Sequence, residues 1–389
     1  LAYHDLGCYG NKRVATPALD SLAAEGARFN AAFTPTALCR PSRWALYTGM
    51  YPHANRVTGF SSIRKDLPVL HKSLKLGGYR TGLIGKDAFL HQAEQFDFQV
   101  HTSTGKPGSA ESKTAEKVVG FSGDAVVNIA NETRRFLSET KNEPWFLQIG
   151  FHDPHRPYRL RPIIRPEQVL VPPYLEDTTE VRQELVGYYT AIANLDRGVA
   201  LVLSVLKQSG HTEDTIVMFV SDHGPGFPFA KSTLYDAGTR VPMLVRWPDA
   251  VKPRTTINEF VTFVDVYPTF LQIAGIEPPA TIQGTSFLPL LRGEKDPLRV
   301  AAFLSHTDNK LLKYPMRGVR TAKYKYIRNF APEAKFKANL MDFPSWTSLT
   351  SAAASNPRIA ARVNAYMHRP AEELYLIKDD PFDLPNIVD

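Results

Sequence analysis

The sequence predicts an α/β protein: a large, mostly parallel sheet flanked by helices, then a smaller C-terminal α+β subdomain. Three observations predict it. Short apolar runs bounded by turn residues alternate with segments of helical period, the pattern of strand–helix crossovers. Polar residues follow three of these runs directly, at Lys86, at His152-Asp153 and at Ser221-Asp222-His223. In parallel sheets the functional loops lie beyond the carboxyl ends of the strands, so these groups are expected to converge. After about Val300 the alternation gives way to short strand-like pieces. The expected division is 1–300 for the main domain and 301–389 for the subdomain, which carries a small antiparallel sheet.

The first helix starts at Thr16, a candidate N-cap, with Pro17 at the first helical position. Leu19, Leu22 and Ala23 form its apolar face, and Gly26 ends it. A second helix spans Val69 to Leu76 and stops at Gly77-Gly78. Tyr79 to Ile84 reads as a strand leading into Gly85-Lys86. Trp145 to Gly150 reads as a continuous apolar run bounded by Pro144 and the polar His152-Asp153, which suits a strand buried on both faces. Arg182 to Lys207 reads as a long helix, with Leu185, Tyr189, Ile192, Leu195, Val199, Val202 and Leu206 at three- and four-residue steps. Thr215 to Val220 and Val241 to Arg246 complete the main set of strands. In the subdomain, Gly318 to Thr321 and Tyr324 to Arg328 read as strands. A polar region over 331–357, a helix and the tail Glu373-Leu374-Tyr375 follow.

The 389 residues suffice for one large domain with an appendage. A charge of +7 fits attraction of an anionic substrate as well as a generally basic surface. No basic stripe interleaved with aromatics marks a nucleic-acid groove, and no run of about 18 apolar residues marks a membrane span. With two cysteines, Cys8 and Cys39, there is neither a disulfide framework nor a zinc spacing. No signal peptide is present, and the chain reads as one that begins inside a domain.

Most of the chemistry is concentrated in Cys39-Arg40-Pro41-Ser42-Arg43-Trp44-Ala45-Leu46-Tyr47-Thr48-Gly49. On its own, Cys39 is either a buried structural thiol or a nucleophile activated by Arg40, Arg43 and a helix N-terminus. The segment resembles the signature of the type I sulfatases, Cys-x-Pro-Ser-Arg followed by Leu-x-Thr-Gly, at every fixed position. The resemblance continues in order through Gly85-Lys86, His152-Asp153-Pro154-His155, Ser221-Asp222-His223-Gly224, the run Lys231, Tyr235, Gly238, Arg240-Val241-Pro242, and Asp265 to Gly275. It implies an alkaline-phosphatase-like sandwich fold.

The resemblance also implies cofactors and roles. Cys39 is converted by a formylglycine-generating maturation enzyme to formylglycine, whose hydrate attacks sulfur. One hydroxyl carries the sulfate ester and the other collapses to the aldehyde, which divides one hard displacement into two steps. Calcium is implied, with Asp222 as ligand and the residue formed from Cys39 beside it. His223 is a metal ligand or, since neutral imidazole is a poor calcium ligand, a sulfate contact. Lys86 and Lys231 hold sulfate oxygens, Arg43 pairs with the nucleophile or a calcium-bound carboxylate, and His155 is a general acid or a sulfate contact. Two departures stand out. The family's first strand, ending in two calcium-binding aspartates, is expected just before Leu1, so the sequence reads as a fragment. Ala88 stands where many relatives have His, with His91 as a possible replacement.

Within the family the chain is most similar to the heparan N-sulfatases, through Phe151-His152-Asp153-Pro154-His155-Arg156, Phe96-Asp97-Phe98, Ser305-His306 and Tyr314-Pro315-Met316-Arg317. The implied substrate is N-sulfoglucosamine of heparan-type glycans, with His91, Arg156, His306 and Arg317 as sugar-side contacts. Three alternatives stay open: an O-sulfatase of another anionic polysaccharide, a phosphonate or phosphate-ester hydrolase, and a non-catalytic glycan-binding relative. Export to a periplasmic, extracellular or lysosomal compartment is implied, and a homodimer is compatible with the sequence.

Overall fold

The computed structural model describes residues 1–59, 64, 66–86, 100–103, 117–118, 125–140, 142–158, 160–294, 297–309 and 312–388. Its strands in the first half are β1 (Ala27–Phe29), β2 (Ala32–Phe33), β3 (Arg80–Gly85), β4 (Val100–Ser103), β5 (Lys117–Val118) and β6 (Trp145–Gly150). The second half adds β7 (Val217–Val220), β8 (Met243–Arg246), β9 (Thr255–Ile257), β10 (Val261–Thr262), β11 (Ala301–Asp308), β12 (Lys313–Thr321), β13 (Tyr324–Asn329) and β14 (Glu372–Leu376). The helices are α1 (Pro17–Glu25), α2 (Cys39–Thr48), α3 (Pro52–Asn55), α4 (Leu70–Leu76), α5 (Ala125–Glu139), α6 (Thr179–Gln208), α7 (Asp236–Thr239), α8 (Val266–Ile273), α9 (Leu288–Leu291), α10 (Pro344–Ala353) and α11 (Pro357–Met367).

Two four-stranded sheets form the body of the main domain. One, in the order β5-β4-β3-β6, is parallel throughout. The other, β7-β8-β1-β9, is mixed: β8 runs antiparallel to both β7 and β1, while β1 and β9 are parallel. The run at Val241–Arg246 thus supplies a returning strand rather than another parallel one. Between β7 and β8 stands only the four-residue α7, whereas parallel neighbours need a substantial crossover, usually a helix. Among the described residues β6 pairs only with β3 and β7 only with β8. Both strands are half-buried despite their apolar sequence, and together they line a cavity of about 1180 Å³.

Helix α6 is the spine. Its apolar steps put Leu185, Ile192, Leu195 and Val199 into the core, and it packs on α1, α5 and α10. It has the length and hydropathy of a membrane crossing, but 56% of that window is buried against these neighbours, the pattern of a core helix. It also caps α1. Thr16, the expected N-cap, instead accepts from Gly7 N at 2.9 Å and donates to Asp20 at 3.1 Å. The free N–H groups of Ala18 and Leu19 go to the Asp196 carboxylate of α6, at 3.1 and 2.9 Å.

At the C-terminal end, β11-β12-β13-β14 form an antiparallel meander. Leu304, Met316, Ile327 and Tyr375 turn inward, while the cross-strand row Phe303, Val319, Tyr326 and Leu374 turns outward. Helix α10 lies within the stretch that composition marks as polar. Trp346 and Leu349, three residues apart, are buried on its inner face.

Two core histidines set an acid limit on stability. Burial pushes His71 and His306 down to about 3. In the unfolded chain they protonate near 6.5. Their stabilising contribution is therefore full above that value and is lost as pH falls from there toward 3. His306→Leu is expected to flatten the pH dependence of the unfolding free energy by about 1.4 kcal/mol per unit between about pH 6 and 4. Urea titrations across that range check it, and an unchanged slope refutes it.

Candidate active site

The site is assembled at the start of α2 and beyond the carboxyl ends of β3, β6 and β7. Cys39 is the first residue of α2, preceded by the extended Leu38, with Pro41 in the first turn. Its half-buried thiol therefore sits at the positive end of the helix dipole. Arg43 follows one turn later on the same face. Arg43 Nε donates to Asp222 Oδ2 at 2.9 Å and Nη1 to the Lys86 carbonyl at 3.4 Å. Ser42 Oγ donates to the Asp222 carbonyl and accepts from Thr34 Oγ1 at 2.8 Å. The helix start thus holds the loop after β7 in place.

Lys86 leaves β3 through Gly85, whose φ of 90° favours glycine. A Cβ at Gly85 would lie 2.2 Å from the Gly150 carbonyl, so β3 and β6 can end side by side only with glycine there. Lys86 N donates to that carbonyl at 2.5 Å. Lys231 is buried (7% exposed). Its neighbour Ser232 N donates to the Ala37 carbonyl at 2.8 Å, which fastens the Lys231 loop to the segment entering Cys39.

These cations outnumber their counter-charge. Burial lowers Lys86, only partly offset by Asp222, and Arg43 and Lys231 lower it further. Burial acts upward on Asp222, but Arg43, then His223 and Lys86, hold it well below the usual carboxylate range. Cys39 is within electrostatic reach of Arg40, Arg43 and Lys86. The pocket thus presents concentrated, partly desolvated positive charge beside Cys39, which suits a compact anion.

The two histidines are electron-pair donors in this state. His155 Nδ1 lies 2.6 Å from the Arg156 carbonyl, and His223 Nδ1 lies 2.7 Å from the Gly224 carbonyl. A carbonyl only accepts, so Nδ1 carries the proton in each and Nε2 is bare. Burial, reinforced by Lys86 and Lys231, pushes His155 down to about 2. Burial pushes His223 down to about 3 despite Asp222, whose Oδ1 is 4.0 Å from Nε2. His155 can therefore act as an acid only after Nε2 has taken up a proton, which a bound anion favours.

Asp222 is a carboxylate ready to take a cation, but no group of three or more His, Cys, Asp or Glu side chains gathers among the described residues. A hard dication takes six to eight oxygen ligands. The described residues do not by themselves compose a calcium site.

The structure brings together Cys39, Arg43, Lys86, His155, Lys231, Asp222 and His223. Of the expected sugar contacts, Arg156 borders the same cavity but is engaged by protein partners, and His306 and Arg317 do not line it. Arg156 is corrected to a packing role: it forms an ion pair with Glu184, donates to Gly226 O at 2.8 Å and lies over the rings of Phe227 and Phe343. His306 is likewise corrected, because it faces the interior of the subdomain at 1% exposure. Arg317 is half-buried on the outer face, and its Nη1 donates to the carbonyls of His306 and Met316 at 3.0 and 2.8 Å. His91, Ala88 and Phe96-Asp97-Phe98 lie outside the described residues. Sequence reading passed over Tyr47 and Gln148, which lie beneath Arg43. Two signals were available: Tyr47 is four residues from Arg43 on one helix, and Gln148 is the polar interruption of an apolar strand.

Fold and site define an α/β protein with a cysteine at a helix N-terminus beside a pocket of positive charge. The sulfatase family model matches residues 1–276. The chain belongs to the sulfatase family, hydrolases of sulfate esters with the alkaline-phosphatase-like fold. A second model, N-sulphoglucosamine sulphohydrolase, C-terminal, matches residues 223–346. An ulvan-active sulfatase of Formosa agariphila is 31% identical over 99% of this chain and 73% of its own length. Human N-sulphoglucosamine sulphohydrolase is 30% identical over 98% of this chain and 82% of its own length. Among solved structures, a protein in complex with its substrate D-glucosamine-2-N,6-O-disulfate superposes with a TM-score of 0.75 at 21% identity, covering 99% of this chain and 91% of that one.

Proposed function

We propose that this sulfatase removes sulfate from N-sulfoglucosamine of heparan-type glycans, with a nucleophile made from Cys39. The observation that carries the reading is the ring of Arg43, Lys86 and Lys231 around the N-terminus of α2, with Asp222 as its carboxylate. As a formylglycine hydrate, residue 39 supplies a hydroxyl nucleophile and, through its second hydroxyl, a route back to the aldehyde. Lys86 and Lys231 hold sulfate oxygens, and Arg43 orients the nucleophile. His155 and His223 offer bare Nε2 atoms to the protons that move. The N-sulfate preference is supported by the C-terminal family match and the human relative; the ulvan-active relative defines the O-sulfate alternative. The reading includes export and maturation by a formylglycine-generating enzyme.

Protein co-expressed with a maturation enzyme is expected to yield a residue-39 peptide lighter by the difference between CH₂–SH and CHO. It should release sulfate from N-sulfoglucosamine faster than from O-sulfated sugars. An unmodified thiol in active protein overturns the nucleophile. Faster release from an O-sulfated sugar overturns the substrate.

A further inference from the structure

Below Arg43 lies a chain of buried polar groups that the reaction, as described, does not use. Tyr47 is one turn beyond Arg43 on α2 and is 3% exposed. Its hydroxyl accepts from Gln148 Nε2 of β6 at 2.5 Å and also hydrogen-bonds Arg43. Beside Gln148, the ring of His71 of α4 packs edge-on against Tyr47 with centroids 5.2 Å apart. Above, Arg43 holds Asp222 through Nε and the Lys86 carbonyl through Nη1. The connected series therefore runs from α4 and β6 through α2 to the loop after β7.

Arginine has several rotatable bonds, and holding it in one rotamer costs entropy. Asp222 and the Lys86 carbonyl hold its guanidinium through Nε and Nη1. A further contact to the buried Tyr47 hydroxyl, which accepts from Arg43, restricts the guanidinium again from a rigid ring on the same helix. Phenylalanine would fill the same space and leave Arg43 without this contact.

We propose that Tyr47, held by Gln148, is a positioning residue that sets the orientation of Arg43 toward residue 39 and the bound sulfate; this rests on the proposed function for its kinetic consequence. Outer partners of this kind are worth about 10- to 100-fold in activity. Tyr47→Phe is expected to lower kcat by about 10-fold or more with KM unchanged, while the melting temperature stays near that of the parent. Gln148→Leu is expected to act in the same direction. On an Arg43→Lys background, Tyr47→Phe should cost less than about twofold, because coupled residues are non-additive.

A readout independent of turnover is the Arg43 Nη–H signal in ¹⁵N spectra. It should be protected from solvent exchange in the parent and lose that protection in Tyr47→Phe. Unchanged kcat together with unchanged Arg43 protection overturns the proposal, as does an equal kcat loss on both backgrounds. If the parent turns over no sulfated sugar but Arg43 loses protection, the positioning role stands and the sulfatase reading falls.

Discussion

Cys39→Ala is expected to abolish sulfate release, a loss on the order of 10⁶-fold by analogy with removal of a covalent nucleophile. The melting curve should be almost unaltered, because the side chain is half-buried at a helix start and carries no hydrogen bond that holds α2 in place. The charge around residue 39 explains the size of the effect. Arg43, Lys86 and Lys231 can bind a sulfate group with or without a nucleophile, so the variant should still bind substrate competitively. What disappears is the covalent step.

The other cysteine is the control. Cys8 is pushed up to about 12 by burial and by Asp20, so it offers no thiolate near neutral pH. Cys8→Ala should keep its activity. Sulfate release by Cys39→Ala at the parent rate would falsify the assignment of the nucleophile.

Which residues meet at the candidate site was largely legible because they are local in sequence or stand at strand ends. The segment 39–49 contains both Cys39 and Arg43, and a helix places residues four apart on one face. Lys86, His155 and Asp222 stand just after apolar runs, and a strand end is readable from the run that precedes it. What was not legible depends on tertiary partners. That Arg156 is held by Glu184 cannot be known until α6 is packed, because the two are 28 residues apart. His306 alternates inward on β11, and which face is inner is decided by the sheet it joins. The strand at 243–246 was visible as a strand, but its direction depends on a connection without a crossover. Helix α10 was hidden because two buried apolar residues in ten are too few to outweigh its serines and threonines.

Lys325→Met is expected to destabilise the folded protein by about 3–5 kcal/mol, the cost of leaving two buried carboxyl groups with Arg320 as their remaining cation. Lys325 Nζ is fully buried on β13, 2.5 Å from Asp236 Oδ1 and 3.0 Å from Asp383 Oδ2. Arg320 of β12 adds a contact to Asp236 at 3.1 Å, and Asp383 Oδ2 accepts from Asp236 N at 2.6 Å. The cluster thus joins three segments: the C-terminal sheet, the tail, and α7, which follows the Lys231 loop. Burial acts upward on Asp236, but Lys325 and Arg320 hold it below the usual carboxylate range. Burial pushes Asp383 up to about 6 against the pull of Lys325. A raised carboxyl stabilises the fold in its protonated form; that contribution is present at low pH and is lost as pH rises through the folded value. Without Lys325 the cluster should therefore be tolerated better at pH 5 than at pH 8, and adding Asp383→Asn should recover part of the loss at pH 8. Chemical denaturation of the three proteins at both pH values measures this. A loss below about 1 kcal/mol would mean that water reaches the cluster and that α7 does not depend on the C-terminal sheet.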